Sequence, residues 1–368
     1  MPIWLYILAS VIKSAIVLVG LLTAVAYTVW LERKVVGHMQ NRWGPTRVGP
    51  FGLLQPAADG IKFLFKEDLT PPHVYKPLFL AAPLIAVIFA LTSIAVIPFG
   101  NDITFGPFTV PSFLPFHYEM PFHWGGIVIG PYDIPLQITT DVNTGLLLIL
   151  GVTSIGVYGV ALAGWSSNNK YSLLGGLRAS AQMVSYEISL GLSLVGVLIM
   201  SGSFSLRDIV NAQAGHFWLF IPHWNVIPQF VGFFCYLMAA YAETNRIPFD
   251  LPEAETELVA GYHTEYSAMK FAMFFMAEYA NMITVACLAT LLFFGGWRGP
   301  VFGHSPILTA IQPVFWFAAK VFAFLFLYIW VRGTLPRFRY DQLMAFGWKF
   351  LLPLALVNLI ATAIAVAW

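Results

Sequence analysis

Eight stretches of this chain are each long enough and apolar enough to cross a bilayer: 3–31, 77–98, 142–164, 176–200, 220–242, 266–293, 308–331 and 346–367. A spanning helix needs about 20 mostly apolar residues. Lipid offers a backbone no hydrogen bonds, so such runs must close their own amide bonds as helices. Composition agrees, because charged residues are only 10% of the 368 and apolar ones 58%, whereas soluble domains carry about 25% charge. The expectation is an all-α integral membrane protein, a single polytopic domain over 1–368 with about eight transmembrane helices. The first run is too long for a removable signal peptide and lacks a small-residue cleavage end, so it reads as a permanent helix.

Lys and Arg collect on the cytoplasmic side of membrane proteins. The segment 32–76 holds Arg33, Lys34, Arg42, Arg47, Lys62, Lys66 and Lys76, while the next loop, 99–141, holds no base. Alternation puts Lys170, Arg178, Arg246, Lys270, Arg332, Arg337, Arg339 and Lys349 inside as well, leaving only Arg207 and Arg298 outside. Both termini are therefore expected on the non-cytoplasmic side. The net charge of +1 leaves no basic field for nucleic acid. The only two cysteines, Cys235 and Cys287, sit in apolar runs and are too few for a disulfide framework or an iron–sulfur site.

The outer loop 99–141 is rich in proline and is expected to be irregular, with at most one short hairpin and no chemistry. The inner loops differ. In 50–66, Leu53, Leu54, Ala57, Ile61, Leu64 and Phe65 recur at helical spacing, with Gln55, Asp59, Lys62 and Lys66 on the other face. This pattern predicts a lateral amphipathic helix on the cytoplasmic side, lying in the headgroups or docked on a partner. The loop 243–265 gathers Glu243, Asp250, Glu253, Glu255, Glu257 and Glu265. Asp250 with Glu253 fits a capping box, and Pro252 an early helical position. Helix-dipole compensation accounts for Glu253 and Glu255, but not for six acids beside a membrane face that otherwise collects bases.

Three charges fall near mid-membrane: Glu187, Glu278 and Lys320, in the fourth, sixth and seventh runs. Each costs about 2.5–3.5 kcal/mol to insert, so such groups pair, face the bundle interior or line water. One reading is a Glu–Lys pair that only registers helices. The other is proton handling, since a buried carboxyl is pushed toward the neutral range. A proton-coupled transporter would show the same acids, but it also predicts an inverted repeat, and none is visible.

Four inner segments carry a specific resemblance. ERKVVGHMQNRWGPTRVGPFGLLQPAADGIKFLFKED (32–68), GWSSNNKYSLLGGLRASAQMVSYEISL (164–190), ETNRIPFDLPEAETELVAGYHTEYSAMKFAMFFMAEYAN (243–281) and RGTLPRFRYDQLMAFGWKFLLPL (332–354) resemble the NuoH-type membrane subunit of respiratory complex I, the proton-pumping NADH:quinone oxidoreductase. The resemblance implies a subunit that forms the membrane side of a quinone channel and begins a carboxylate proton path. It implies quinone as substrate and no cofactor bound by this chain, with FMN and iron–sulfur clusters on partner subunits. The implied partners are hydrophilic quinone-site and iron–sulfur subunits and adjacent small membrane subunits, in a bacterial inner membrane.

Carried over residue by residue, the quinone-channel positions fall on Glu32, Arg33, Arg42, Asp59 and Arg332. Arginine suits them because its guanidinium stays charged and donates several hydrogen bonds in a fixed fork. For Arg33 and Arg332 the plain alternative is a helix-end anchor. The acidic path falls on Glu187, Glu243, Glu253, Glu255, Glu257 and Glu278, with Glu67 near its entrance and Lys320 beside it. Gly44, Pro45, Gly49 and Pro50 read as shaping the turn into the lateral helix. Related subunits of membrane-bound hydrogenases or of F420H2- or ferredoxin-dependent complexes are the nearest alternative, and the electron donor is set by other chains.

Overall fold

The computed structural model describes residues 3–100, 103–105, 108–110, 127–129, 132–134, 142–218, 221–250, 259–300 and 306–368. Among them are seven helices long and apolar enough to cross a membrane. They lie in α1 (Ile3–Met39), α3 (Lys76–Ser93, continued as a 3-10 turn to Val96), α4 (Gly145–Ser166) and α5 (Lys170–Ser201), then α8 (Ala268–Phe293), α9 (Pro306–Thr334) and the C-terminal pair α10 (Tyr340–Phe346) and α11 (Leu352–Ala367). Residues Gly347–Leu351 join the last two as a π-helical segment. The shorter α-helices among the described residues are α2 (Gln55–Phe65), α6 (Leu206–Ala212) and α7 (Phe230–Glu243). All-α is the right class; the strands among the described residues are six pieces of two or three residues. In the outer loop, Ile103–Phe105 pairs with Tyr132–Ile134 and Phe108–Val110 with Ile127–Ile129, antiparallel and in one register.

The expected run 220–242 is the exception. Its helix α7 has 14 residues, about 21 Å at 1.5 Å per residue, against a hydrocarbon core of about 30 Å. The preceding residues do other work. The last carbonyls of a helix have no partner within it, and at the end of α8 they are met from this segment. Asn225 Nδ2 donates to Leu292 O (2.9 Å) and Val226 N to Phe293 O (3.0 Å), while Gln213 Nε2 takes Leu291 O (2.8 Å). A mean hydropathy over 220–242 does not register that docking.

Helix α5 sits at the centre and packs on α4, α7 and α11, while α8 packs on α3 and α9. Of the seven long helices α8 is the most enclosed, and α1 and the C-terminal helix are the least. Small residues let the central backbones meet, as is usual between helices in lipid. A Cβ on Gly164 would lie 2.9 Å from Gly176 Cα, and one on Gly175 2.7 Å from Gly261 Cα. Asn169 caps α5 by accepting from Tyr171 N (3.0 Å), and left-handed Gly202 ends it. Cys235 and Cys287 are both buried and free.

Helix α1 continues past the expected end at 31 to Met39. The chain then doubles back, and left-handed Gly49 (φ 72°) and Gly52 (φ 78°) turn it into α2. Of the expected lateral helix 50–66, the first residues are a 3-10 turn, Pro50–Gly52, and α2 itself begins at Gln55. Its orientation is the informative feature. Gln55, Asp59 and Phe63 turn inward, whereas Leu54, Ile61, Leu64 and Phe65 are exposed.

Candidate functional site

The extension of α1 carries Glu32 on a rigid helix into the space between α7, α8 and α9. Glu32 is only 8% exposed. Its Oε2 accepts from the Tyr279 hydroxyl at 2.8 Å, its Oε1 is paired with Arg332 Nη1, and Arg246 Nη1 stands 3.6 Å from Oε2. Arg246 reaches there from the turn closing α7, whose residue Asn245 is left-handed (φ 50°) and whose Arg246 N donates to Tyr241 O at 3.3 Å. The guanidinium lies over the Tyr279 ring, 4.2 Å from its centroid, and places Nε 2.5 Å from Glu278 Oε1. Two acids and two bases thus meet, buried between α1, α7, α8 and α9. Burying charge in this way is tolerated only when each ion has its counter-ion.

From Glu278 the polar groups continue inward. A cavity of about 30 Å³ is lined by Glu243, Thr244, Asn245, Glu278 and Asn281, closed off by apolar groups including Val160, Met183 and Phe274. Glu243 lies within electrostatic reach of Glu187. Glu187 in turn accepts from the Ser154 hydroxyl of α4. The structure therefore brings together Glu32, Arg332, Glu278, Glu243 and Glu187 in one series, with Arg246 joining Glu32 to Glu278.

Other expected site residues lie apart from that series. Arg33 donates to Asp59 Oδ2 (2.7 Å), and Gln55 Nε2 holds Asp59 Oδ1 (2.9 Å), which ties α2 to α1. Arg42 donates to Gln40 Oε1 (2.7 Å) on the exposed turn after α1. Glu67 is exposed beyond α2. Glu253, Glu255, Glu257 and Pro252 fall outside the described residues; Asp250, the expected cap, is held by Arg337 Nη2 at 3.2 Å. Lys320 is well removed in character. Its ammonium donates to the carbonyls of Phe294 (2.7 Å), Gly296 (2.9 Å) and Arg298 (2.6 Å) and lies over the Trp224 ring. All three of its protons are spent on the turn that ends α8. Lys320→Met should therefore lower the melting temperature of the purified protein, since a buried carbonyl left without a donor costs about 1–3 kcal/mol. Differential scanning of the two forms checks it.

Along α1, from Ile16 to Leu31, runs an apolar cleft of about 620 Å³ between α1, α8 and α9. At 1.5 Å per residue that stretch of helix is roughly 22 Å long. Thr28, Trp30 and Leu31 line its inner end, one residue before Glu32.

Sequence reasoning missed Arg246, Tyr279, Asn245, Asn281 and Ser154. Arg246 counted only toward the inner excess of bases. A single base set among six acids was the available signal that it is a counter-ion. Tyr279, adjacent to Glu278, could not be distinguished from the many aromatic residues around it. Among the described residues no group of three or more His, Cys, Asp or Glu side chains is arranged to hold a metal ion.

The fold and site define a multi-pass helical membrane protein with a paired charge network sunk into its bundle. Comparison with known proteins narrows that class. The family model described as NADH dehydrogenase matches residues 12–363. The chain is 68% identical over 366 residues to the second of the H subunits of NADH-quinone oxidoreductase from Koribacter versatilis, covering 99% of this chain and 98% of the relative. It is 49% identical to the first of the H subunits of the same enzyme from Solibacter usitatus, over 99% of this chain and 98% of that one. It is also 49% identical to the second of those from Geobacter metallireducens, over 98% and 96%. The chain belongs to the NADH dehydrogenase family, among the H-type membrane subunits of NADH-quinone oxidoreductase, as its inner loops indicate. It is one subunit of an enzyme complex.

Proposed function

We propose that this subunit forms the membrane side of a quinone channel and converts the redox change of the quinone into proton movement along its buried carboxylates. The observation that carries the reading is Arg246, whose guanidinium joins Glu32, at the head of the apolar cleft, to Glu278, at the head of the acid series. The cleft suits an isoprenoid tail, being apolar and leading to charged groups. Arg33, on α1, and Arg332, at the end of α9, are assigned as donors to a quinone carbonyl. Arg42, Glu67 and the outward face of α2 are left for the hydrophilic partner subunits, which would carry FMN and iron–sulfur clusters and supply the electrons. This chain itself holds no redox group; quinone is its substrate.

Reduction of a quinone takes two electrons and two protons. A unit of charge gained or lost near Arg246 shifts the balance by about 4 kcal/mol at 4 Å and an effective dielectric of 20. That is enough to change a carboxylate's proton affinity roughly a thousandfold. Each release or uptake of H⁺ at Glu278 can then pass to Glu243 and Glu187. Glu253, Glu255 and Glu257 are assigned to the inner end of the same path. Lys320 is assigned outside it, as a cap on the end of α8. The setting is a single polytopic domain in the bacterial inner membrane, with both termini outside and NADH as the donor to the complex.

In the assembled, reconstituted enzyme, Glu187→Gln and Glu278→Gln should each cut proton pumping at least tenfold. Quinone reduction and pumping both at wild-type levels would end the relay reading. Arg33→Ala frees α2 from α1 and removes a donor, so quinone turnover should fall several-fold while NADH:ferricyanide activity persists. Equal loss of both activities would mean failed assembly rather than a damaged channel.

A further inference from the structure

Between Glu243 and Glu278 the carboxylates do not hydrogen-bond each other directly; the 30 Å³ cavity stands between them. Two amide oxygens face that space. Asn245 is only 9% exposed, and its Oδ1 makes no hydrogen bond to any protein atom; the buried Oδ1 of Asn281 is likewise unpartnered. The Thr244 hydroxyl is already donated to Ala240 O at 3.0 Å. Arg246, behind Glu278, has its Nε turned to Glu278 Oε1. The Asn245 and Asn281 amide oxygens are therefore acceptors without a protein donor, set beside the Glu243 and Glu278 carboxyl groups. Two buried amide oxygens with no protein donor at one space call for a donor from outside the protein, because an unmet buried acceptor costs free energy. A water needs about 10–15 Å³ of such volume and supplies two O–H groups, so the cavity has room for one or two.

We propose that Asn245 and Asn281 are positioning residues that hold a water bridging Glu243 and Glu278. This rests on the carboxylate-path reading above and adds to it the step that the side chains alone do not make. The bridging water gives one proton to the Glu243 carboxylate as it takes one from the protonated Glu278 carboxyl. Glu278 becomes a carboxylate, Glu243 a carboxylic acid, and the water is regenerated; the reverse step is equally balanced. Neither asparagine changes its own protonation. Their amide oxygens hold the water by accepting from its second O–H, and Val160, Met183 and Phe274 wall the site with apolar groups.

The test uses the whole complex in proteoliposomes, with water as the probe. Asn281→Leu keeps the branched heavy-atom shape and removes the amide; it should lower pumping at least tenfold and raise the H2O/D2O rate ratio, with NADH:ferricyanide activity reporting assembly. Asn281→Ser restores a small polar group with room for a further water and should recover pumping to within threefold of wild type. Equal damage from Leu and Ser would make Asn281 a packing residue and overturn the proposal. Wild-type pumping in Asn281→Leu, beside loss in Glu278→Gln, would overturn the water bridge and leave the path standing. Wild-type pumping in both would remove both. Should Asn281→Leu fail to assemble, Asn245→Gly decides by the same readouts, because glycine accepts the left-handed backbone of that position. Loss supports the bridge, and retention refutes it.

Discussion

Arg246→Leu is expected to destroy quinone-linked turnover and to destabilise the subunit together. The side chain is the shared counter-ion of Glu32 and Glu278, at 3.6 Å and 2.5 Å. Removing it takes that cation from both buried carboxylates, and Arg332 remains beside Glu32. Breaking a buried pair from one side costs about 3–5 kcal/mol, and the same replacement cuts the link that Arg246 makes between Glu32 and Glu278. Quinone reduction should fall at least a hundredfold, and the melting temperature of the isolated complex should drop. Arg246→Lys should recover stability more than turnover, because a point charge on a flexible stem cannot face both carboxylates as a planar fork does. The double variant Arg246→Leu with Glu278→Gln should recover part of the stability and none of the coupling; a thermodynamic cycle over the four forms measures this. Turnover within twofold of wild type in Arg246→Leu would show that the pairing is incidental.

The second large effect is steric. Gly175→Val should reduce the amount of assembled protein in membranes at least tenfold. A Cβ at Gly175 would stand 2.7 Å from Gly261 Cα and 2.8 Å from Tyr262 N. Both are backbone atoms, so no side chain can rotate aside, and overpacking of this kind costs about 1–3 kcal/mol or more. Tyr262 also borders the cavity beside Glu243, so any Gly175→Ala protein that does assemble should pump less. Gly191 lies on the same helix with nothing within 4 Å of its would-be Cβ. Gly191→Ala should therefore be neutral or mildly stabilising. Quantitative immunoblotting of membranes, with thermal melts of what is purified, separates the two outcomes.

Particular residues show why some of this was legible beforehand and some was not. Glu187 and Glu278 stand out in any reading, because a carboxylate in the middle of an apolar run has a cost that composition alone exposes. Lys320 stands out for the same reason, yet its ammonium caps three carbonyls at the end of α8. The cost of burying a charge is recorded locally; the group that meets the cost is not. Tyr279 and Glu32, whose hydrogen bond closes the site, are 247 residues apart. The late start of α7 has a similar origin, since Asn225 and Val226 sit in a run that is apolar on average but serve the last carbonyls of another helix.

What the chain's order of residues determines by itself is the solvent it must live in, the helical class and the amphipathic lateral segment. These follow from hydropathy and the backbone's need for hydrogen bonds, both properties of short stretches. What only the tertiary structure decides is which charges become partners: Arg246 with Glu32 and Glu278, Arg33 with Asp59, Lys320 with a helix end. Coulomb attraction and desolvation act through space. They take their values only once α1, α7, α8 and α9 have been brought side by side.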